Sequence, residues 1–299
     1  MRNLLRILLI TVGLMCLSAA AASAHPTTKN TRSHHRTTRR AARLVRAHAA
    51  SLLTGRRPLS PQTTLNPSFA CGCINPSMFP YASFVPHHVS VVPDPLGGGQ
   101  NVLKFAVADS DRPYLGAADP RADVETAPKF KPGDNDYIAV SMLVPTTMPA
   151  VNTNNAWFEL AEVYGKPYGG SPPVSVCLSD WGQNGVNHFI MNQDATNGYK
   201  RAWTGPAATD GKWHTIIFHV NFETNNTGSV QIYFDGQLQT LANGTTTLNE
   251  ATLDPGVNWD GKDGNFLNIQ SYRSPGSFPG TVTTYMGAPK IGTTLASVE

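Results

Sequence analysis

Three short stretches of this chain carry polar side chains at every second position. Arg121, Asp123 and Glu125 alternate with Ala122, Val124 and Thr126. Trp157, Glu159 and Ala161 share a parity opposite to Phe158 and Leu160, and Asn268, Gln270 and Tyr272 alternate with Leu267 and Ile269, with Arg273 following. A strand sends successive side chains to opposite faces, so each stretch would put its polar set on one side and its apolar set on the other. Rows of this kind can line a concave face that holds a ligand. Glu125, Glu159 and Glu162 could include a carboxyl pair for glycoside hydrolysis, one group giving a proton while the other attacks or activates water. Glu159 and Glu162 have opposite parity on a regular strand, which leaves Glu125 with Glu159 as the pair. Trp157, Trp181, Trp203 and Trp259 could instead stack on the apolar faces of sugar rings, as in a binding module without catalysis.

The elements that must position these residues read as strands. From about Phe69 onward, short runs rich in Val, Ile, Phe, Tyr and Thr are broken by Gly, Pro, Asn and Asp, with no long helical period. Strands are expected at 87–92, 101–108, 137–144, 213–222 and 230–234. Ile216, Phe218, Val220 and Phe222 share one face, and Asp235-Gly236 marks a tight hairpin. The pattern is that of an all-β jelly-roll sandwich of two antiparallel sheets, and 67–299 is long enough for one such domain.

The N-terminal part differs in kind. Arg2 and Arg6, the apolar run from Ile7 to Leu17 and the small residues Ala22-Ser23-Ala24 form a signal-peptide pattern over 1–24, so the protein is expected to be secreted and extracellular. Residues 25–60 hold nine Lys or Arg and no acid, whereas all twenty acidic residues of the chain lie in 61–299 against twelve Lys or Arg. The overall +3 therefore describes neither half. Residues 25–66 are expected to be a disordered basic linker, able to contact an anionic cell surface. No nucleic-acid motif accompanies it, and the protein is expected to be a monomer. Three cysteines follow the signal peptide. Bridging Cys71 to Cys73 would strain the backbone, so one of them is expected to pair with Cys177. Asp260-Gly261-Lys262-Asp263-Gly264-Asn265 has oxygen ligands for calcium but also the composition of a turn; no other metal or cofactor is expected.

Several of these stretches resemble a known family. Arg121-Ala122-Asp123 is similar to the Arg-x-Glu strand of jelly-roll polysaccharide lyases. Phe158 to Pro173 resembles the strand and loop that follow it in the heparin-lyase-like group. Asp210-Gly211-Lys212-Trp213-His214 through Val220, then Gly228 to Gly236, resembles that group's Gly-x-Trp strand and Asp-Gly hairpin. Ile269-Gln270-Ser271-Tyr272-Arg273 and Lys290-Ile291-Gly292-Thr293-Thr294 resemble its Tyr-Arg and closing strands. The resemblance covers roughly 75–299 and implies a concanavalin-A-like jelly roll that cleaves an anionic, uronic-acid-containing polysaccharide by β-elimination.

That reaction needs the substrate's carboxylate neutralised, a base for the proton beside it and an acid for the departing oxygen. The resemblance makes Tyr272 acid or base, its phenol expected to have a lowered pKa near cations. It makes Arg121 a carboxylate ligand, with Asp123, Glu159, Asn268, Gln270, Arg273 and Trp157 around the substrate. Arg273 alternates away from Tyr272, so its place there would need a bulge or a strand end. In related alginate-lyase-like enzymes the second strand reads Gln-Ile-His. Here the same positions are Glu159, Leu160 and Ala161, which supply neither an amide nor a base. His188 is the first substitute base, with His219 and His214 behind it.

Overall fold

The apolar alternation seen in the sequence builds two sheets. In this computed structural model the chain divides into Met1–Pro58 and Leu59–Glu299. The structure describes residues 63–83, 88–111, 119–127, 129–151, 157–166, 171–180, 185–193, 200–254, 264–276 and 280–299, all in the second part. The signal peptide, nearly all of the basic linker, Trp181, Trp259 and 255–263 lie outside the described residues.

Among the described residues the larger sheet has ten strands. Its main path runs Gln237–Leu238, Ser229–Phe234, Trp213–Asn221, Asn135–Leu143, Val282–Met286, Asn101–Val107, Val89–Pro93. The second sheet has seven strands in the order Lys200–Ala207, His188–Gln193, Val174–Ser179, Phe158–Lys166, Gly264–Arg273, Arg121–Glu125, Tyr81–Ser83. All strand pairs are antiparallel. The two sheets form a jelly-roll sandwich.

Register explains the core. Ile216 lies between Val140 and Phe234, and Phe218 between Ile138 and Ile232, so one face of the larger sheet is a block of fully buried apolar side chains. Each such side chain contributes about 1.5–3 kcal/mol by leaving water. The seven-stranded sheet answers with Ala122, Val124, Phe158, Leu160, Val163, Val176, Leu178, Leu267 and Ile269. The Asp235-Gly236 hairpin forms as read, both residues at positive φ (47° and 77°), a conformation that Gly adopts freely and Asp tolerates.

Two expectations are corrected here. Cys71 pairs with Cys73, and Cys177 is free and buried. The Cα atoms of Cys71 and Cys73 are 5.3 Å apart, within ordinary disulfide range, because Gly72 between them takes a positive φ of 67° and reverses the chain. Arg273 does not reach the polar face. It is fully buried between the sheets, donating from Nη1 to the carbonyls of Val107 and Gly280 and pairing with Asp109 at 3.4 Å. The strand keeps its alternation through Tyr272, so the next residue must face inward, where Ser271 also reaches across to Thr284 at 2.6 Å.

Candidate functional site

The polar rows meet on the outer face of the seven-stranded sheet. Arg121 sits opposite Tyr272, Asp123 opposite Gln270 and Glu125 opposite Asn268. On the other side of the Gly264–Arg273 strand, Tyr272 faces Glu159 and Asn268 faces Glu162. Directly opposed side chains on one face lie about 5 Å apart at Cβ, so these are contacting neighbours.

Glu159 and Glu162 share this face because the strand that carries them is bulged. Glu159 pairs with Cys177 and Ala161 with Val176, leaving Leu160 as an extra residue. Phe158, Leu160, Ala161 and Val163 all pack in the core, whereas Glu159 and Glu162 point out, toward Gln270 and Asn268. A bulge shifts alternation by one, which overturns the expectation that these two glutamates face opposite ways. Around them, Gln270 donates to Glu159 (3.4 Å), Asn268 donates to Glu162 (2.9 Å) and to Gln270 (3.0 Å), and the Cys177 thiol points at Glu159 Oε1 from 3.7 Å. Asn192 donates to the same sulfur at 3.1 Å.

This outer face is covered: Gln270 is 0%, Asp123 1% and Asn268 3% exposed. Burial, outweighing the hydrogen bonds it accepts, raises the Glu159 pKa, and burial with the charge of Glu159 raises Glu162 well above its usual range. Tyr164, next along the face, is pushed up to about 12 by burial and by the charges of Glu162 and Asp254.

Tyr272 anchors the other end. Its hydroxyl donates to Asp119 at 3.0 Å, its ring meets Trp157 edge-on at 4.4 Å, and the Arg121 guanidinium carbon lies 5.2 Å from its centroid. Arg121 also pairs with Asp123 at 3.7 Å. Burial and the Asp119 carboxylate raise the phenol's pKa, against the expectation that nearby cations lower it. At neutral pH Tyr272 therefore holds its proton, which suits an acid and not a resting base.

A polysaccharide lyase family model matches residues 68–285, most of the chain and all of the seven-stranded sheet. The chain belongs to the polysaccharide lyase family. No curated protein matches it. Among solved structures it is similar to the endo-β-1,4-glucuronan lyase of the fungus Trichoderma reesei, at 15% identity and TM-score 0.58, covering 79% of this chain and 98% of that one. It is also similar to an alginate lyase from Aplysia kurodai (13%, TM-score 0.43, 68% and 86% covered) and a β-glucanase catalytic domain from Podospora anserina (14%, TM-score 0.44, 78% and 85%). At 15% identity the first likeness speaks for the fold, and the other two carry no argument.

In this polysaccharide lyase family member, Arg121, Asp123, Trp157, Glu159, Asn268, Gln270 and Tyr272 gather on or beside one face, while Arg273, His214 and His219 lie elsewhere and His188 stands apart from the group. His188 is on that face but three strands from Tyr272, about 14 Å at the usual strand spacing, its Nδ1 against the Gly205 carbonyl. His214 and His219 belong to the other sheet. His214 sits between Asp235 (2.8 Å) and Asp210 (3.1 Å), and His219 stacks on Tyr137. His88 pairs with Asp111 at 3.4 Å, and the Asp111 carbonyl lies beside the strand's first residue, accepting the Arg121 amide. It is the described histidine tied to the Arg121 end.

Ser175, Cys177 and Ser179 also face this side, and Val174, Val176 and Leu178 alternate with them as cleanly as in the three polar stretches, a signal the sequence carries. Asp119 and Tyr164 had no such signal: one precedes a strand and the other follows the bulge. Trp203 is core, 3% exposed. Among the described residues no three His, Cys, Asp or Glu side chains gather as a metal site.

Proposed function

We propose that this protein is an exported lyase that cleaves a uronic-acid-containing polysaccharide by β-elimination on the outer face of the seven-stranded sheet, in the manner of the heparin-lyase-like group. The observation that carries the reading is the directly opposed pair Arg121 and Tyr272, flanked by Glu159 and Gln270. A guanidinium that binds a carboxylate beside a proton-bearing phenol is what the reaction asks of its acid end. Tyr272 serves as the acid that protonates the departing glycosidic oxygen, Asn268 and Gln270 hold Glu162 and Glu159 beneath the site, and Trp157 stacks at the rim. His88, oriented by Asp111, is the described histidine to test as base. Family membership supports the reaction class; the Trichoderma reesei glucuronan lyase puts polyglucuronate in the first panel, beside alginate and heparin-like chains.

The test is incubation with that panel and with neutral glucans. An unsaturated product absorbing ultraviolet light is expected from a uronate polymer. Reducing ends without that absorbance would instead mark a hydrolase, for which Glu125 and Glu159 are the candidate pair. Retention on an affinity gel with neither product would mark a binding module.

A further inference from the structure

The Cys71–Cys73 bridge does little for the fold. A disulfide stabilises mainly by constraining the unfolded chain, and the effect grows with the length of the loop it closes. Cys71 and Cys73 are two apart in sequence, so Gly72 alone lies between them. The turn is also secured without the bridge. Phe69 and Phe79, 2% and 3% exposed and stacked at 6.3 Å, pin the segment into the core on either side. The Phe69 carbonyl accepts the Gly72 amide at 2.9 Å and the Asn101 side chain at 3.0 Å.

What the bridge has instead is access. Ala70, Cys71, Gly72 and Cys73 are all exposed. Beyond its chain neighbours, no described atom lies within 4 Å of where a Gly72 side chain would begin, so the turn opens to solvent there. Cys177 is the opposite case, 2% exposed and set between Asn192 and Glu159. Thiol–disulfide exchange needs a thiolate to reach a sulfur, and exposed bridges are the labile ones. We propose that Cys71–Cys73 is a thiol-exchange site, at which a small aliphatic thiol attaches to the protein as a mixed disulfide. The proposal stands independently of the lyase reading.

The steps balance. The incoming thiolate attacks one sulfur of the bridge. Its new S–S bond forms as the Cys71–Cys73 bond breaks, and the displaced sulfur leaves as a thiolate that takes a proton from water. A second thiol, attacking the mixed disulfide at the small thiol's sulfur, releases a small-molecule disulfide and leaves the protein as a dithiol. Two thiols are then oxidised by the two electrons that the bridge accepts. With the two Cα atoms 5.3 Å apart, the displaced cysteine stays within reach and recloses the bridge unless small thiol is in excess.

The experiment treats the folded full chain with millimolar glutathione, quenches with acid, and locates adducts by mass and peptide mapping, with thermal melting alongside. A glutathione adduct on Cys71 or Cys73 is expected well below the melting temperature, giving way to the dithiol as glutathione rises, while Cys177 stays unmodified. Reduction should lower the melting temperature by no more than about 6 °C, the small effect of so short a loop in a domain of this size. Cys73→Ser removes the cysteine that recloses the bridge, and with oxidised glutathione it should hold one glutathione per chain on Cys71. A wild-type bridge that stays closed until the domain unfolds would overturn the proposal, as would a folded Cys73→Ser that takes up no glutathione. A larger fall in melting temperature on reduction would also overturn it, by making the bridge a staple of the fold. If Cys73→Ser does not fold, the wild-type adduct and melting shift decide alone.

Discussion

Tyr272 is held by three neighbours that each constrain its chemistry. Asp119 accepts a hydrogen bond from its hydroxyl, Trp157 packs its ring, and Arg121 lies over its face. The raised pKa that burial and Asp119 impose keeps the proton in place until a better acceptor, the departing oxygen, arrives. Tyr272→Phe keeps the ring and removes only that proton. Turnover on the uronate polymer should fall by about a hundredfold to ten-thousandfold, the usual span for one acid-base group. Affinity should change by less than about tenfold, since one hydrogen bond contributes about 1 kcal/mol net. Steady-state kinetics with a parallel binding measurement checks this. Unchanged turnover would remove Tyr272 from the mechanism.

At the scale of the strand, alternation is the rule and the bulge its exception. Gly264–Arg273 alternates without fault over its last seven residues, which sends Asn268, Gln270 and Tyr272 outward and Ser271 and Arg273 inward. Arg273 thus serves the sandwich, tying the strand end to Val107 and Gly280. Arg273→Leu would strip two carbonyls of their donor, a cost of about 3 kcal/mol if both stay buried. A clear drop in melting temperature is expected, with turnover per folded molecule retained at a temperature where the variant is native. The converse result, normal melting and lost turnover, would put Arg273 in the site after all. Phe158–Lys166 breaks the rule once, and that break puts Glu159 and Glu162, three residues apart, on one face.

Across the whole molecule, several carboxyls are buried in ways that favour their neutral form. Burial, together with the charge of Glu162, raises Asp254 to about 7; burial, together with Asp134, raises Asp136 to about 6. Asp254 Oδ1 and Asn265 Oδ1 have no partners among the described residues, while Asn265 donates to Asp254 Oδ2 at 3.2 Å. A proton on Asp254 Oδ1 would complete a two-way acid–amide pair. A folded-state pKa above the unfolded value means stability that is fully present below about pH 4 and lost as pH rises through 6 to 7. Asp210, where the His214 and Lys212 contacts outweigh a burial cost, titrates low and opposes this only in stronger acid. The melting temperature should therefore be higher near pH 5 than near pH 8 by several degrees, and Asp254→Asn should flatten part of that slope. A melting temperature that climbs from pH 5 to 8 would contradict the neutral carboxyls.

The sequence by itself determined the all-β class, several of the strands and two of the outward rows, because burial of an apolar face is a local, period-two signal that an ordinary strand obeys. Arg121, Asp123, Asn268, Gln270 and Tyr272 could be placed on one face from that period alone, and the apolar run of Trp213–Asn221 from the same cause. Only the tertiary structure decided the rest. Which histidine lies near Tyr272 depends on strand order, to which a period is blind, and His188 ends three strands away. The Cys71–Cys73 bridge turns on the positive φ of Gly72. The placing of Glu159 and Glu162 on one face turns on Leu160, an extra residue against Val174–Ser179, while against Gly264–Arg273 the extra residue lies on the other strand. A bulge is settled by the packing of three strands against a shared core, and no single strand's composition carries that information.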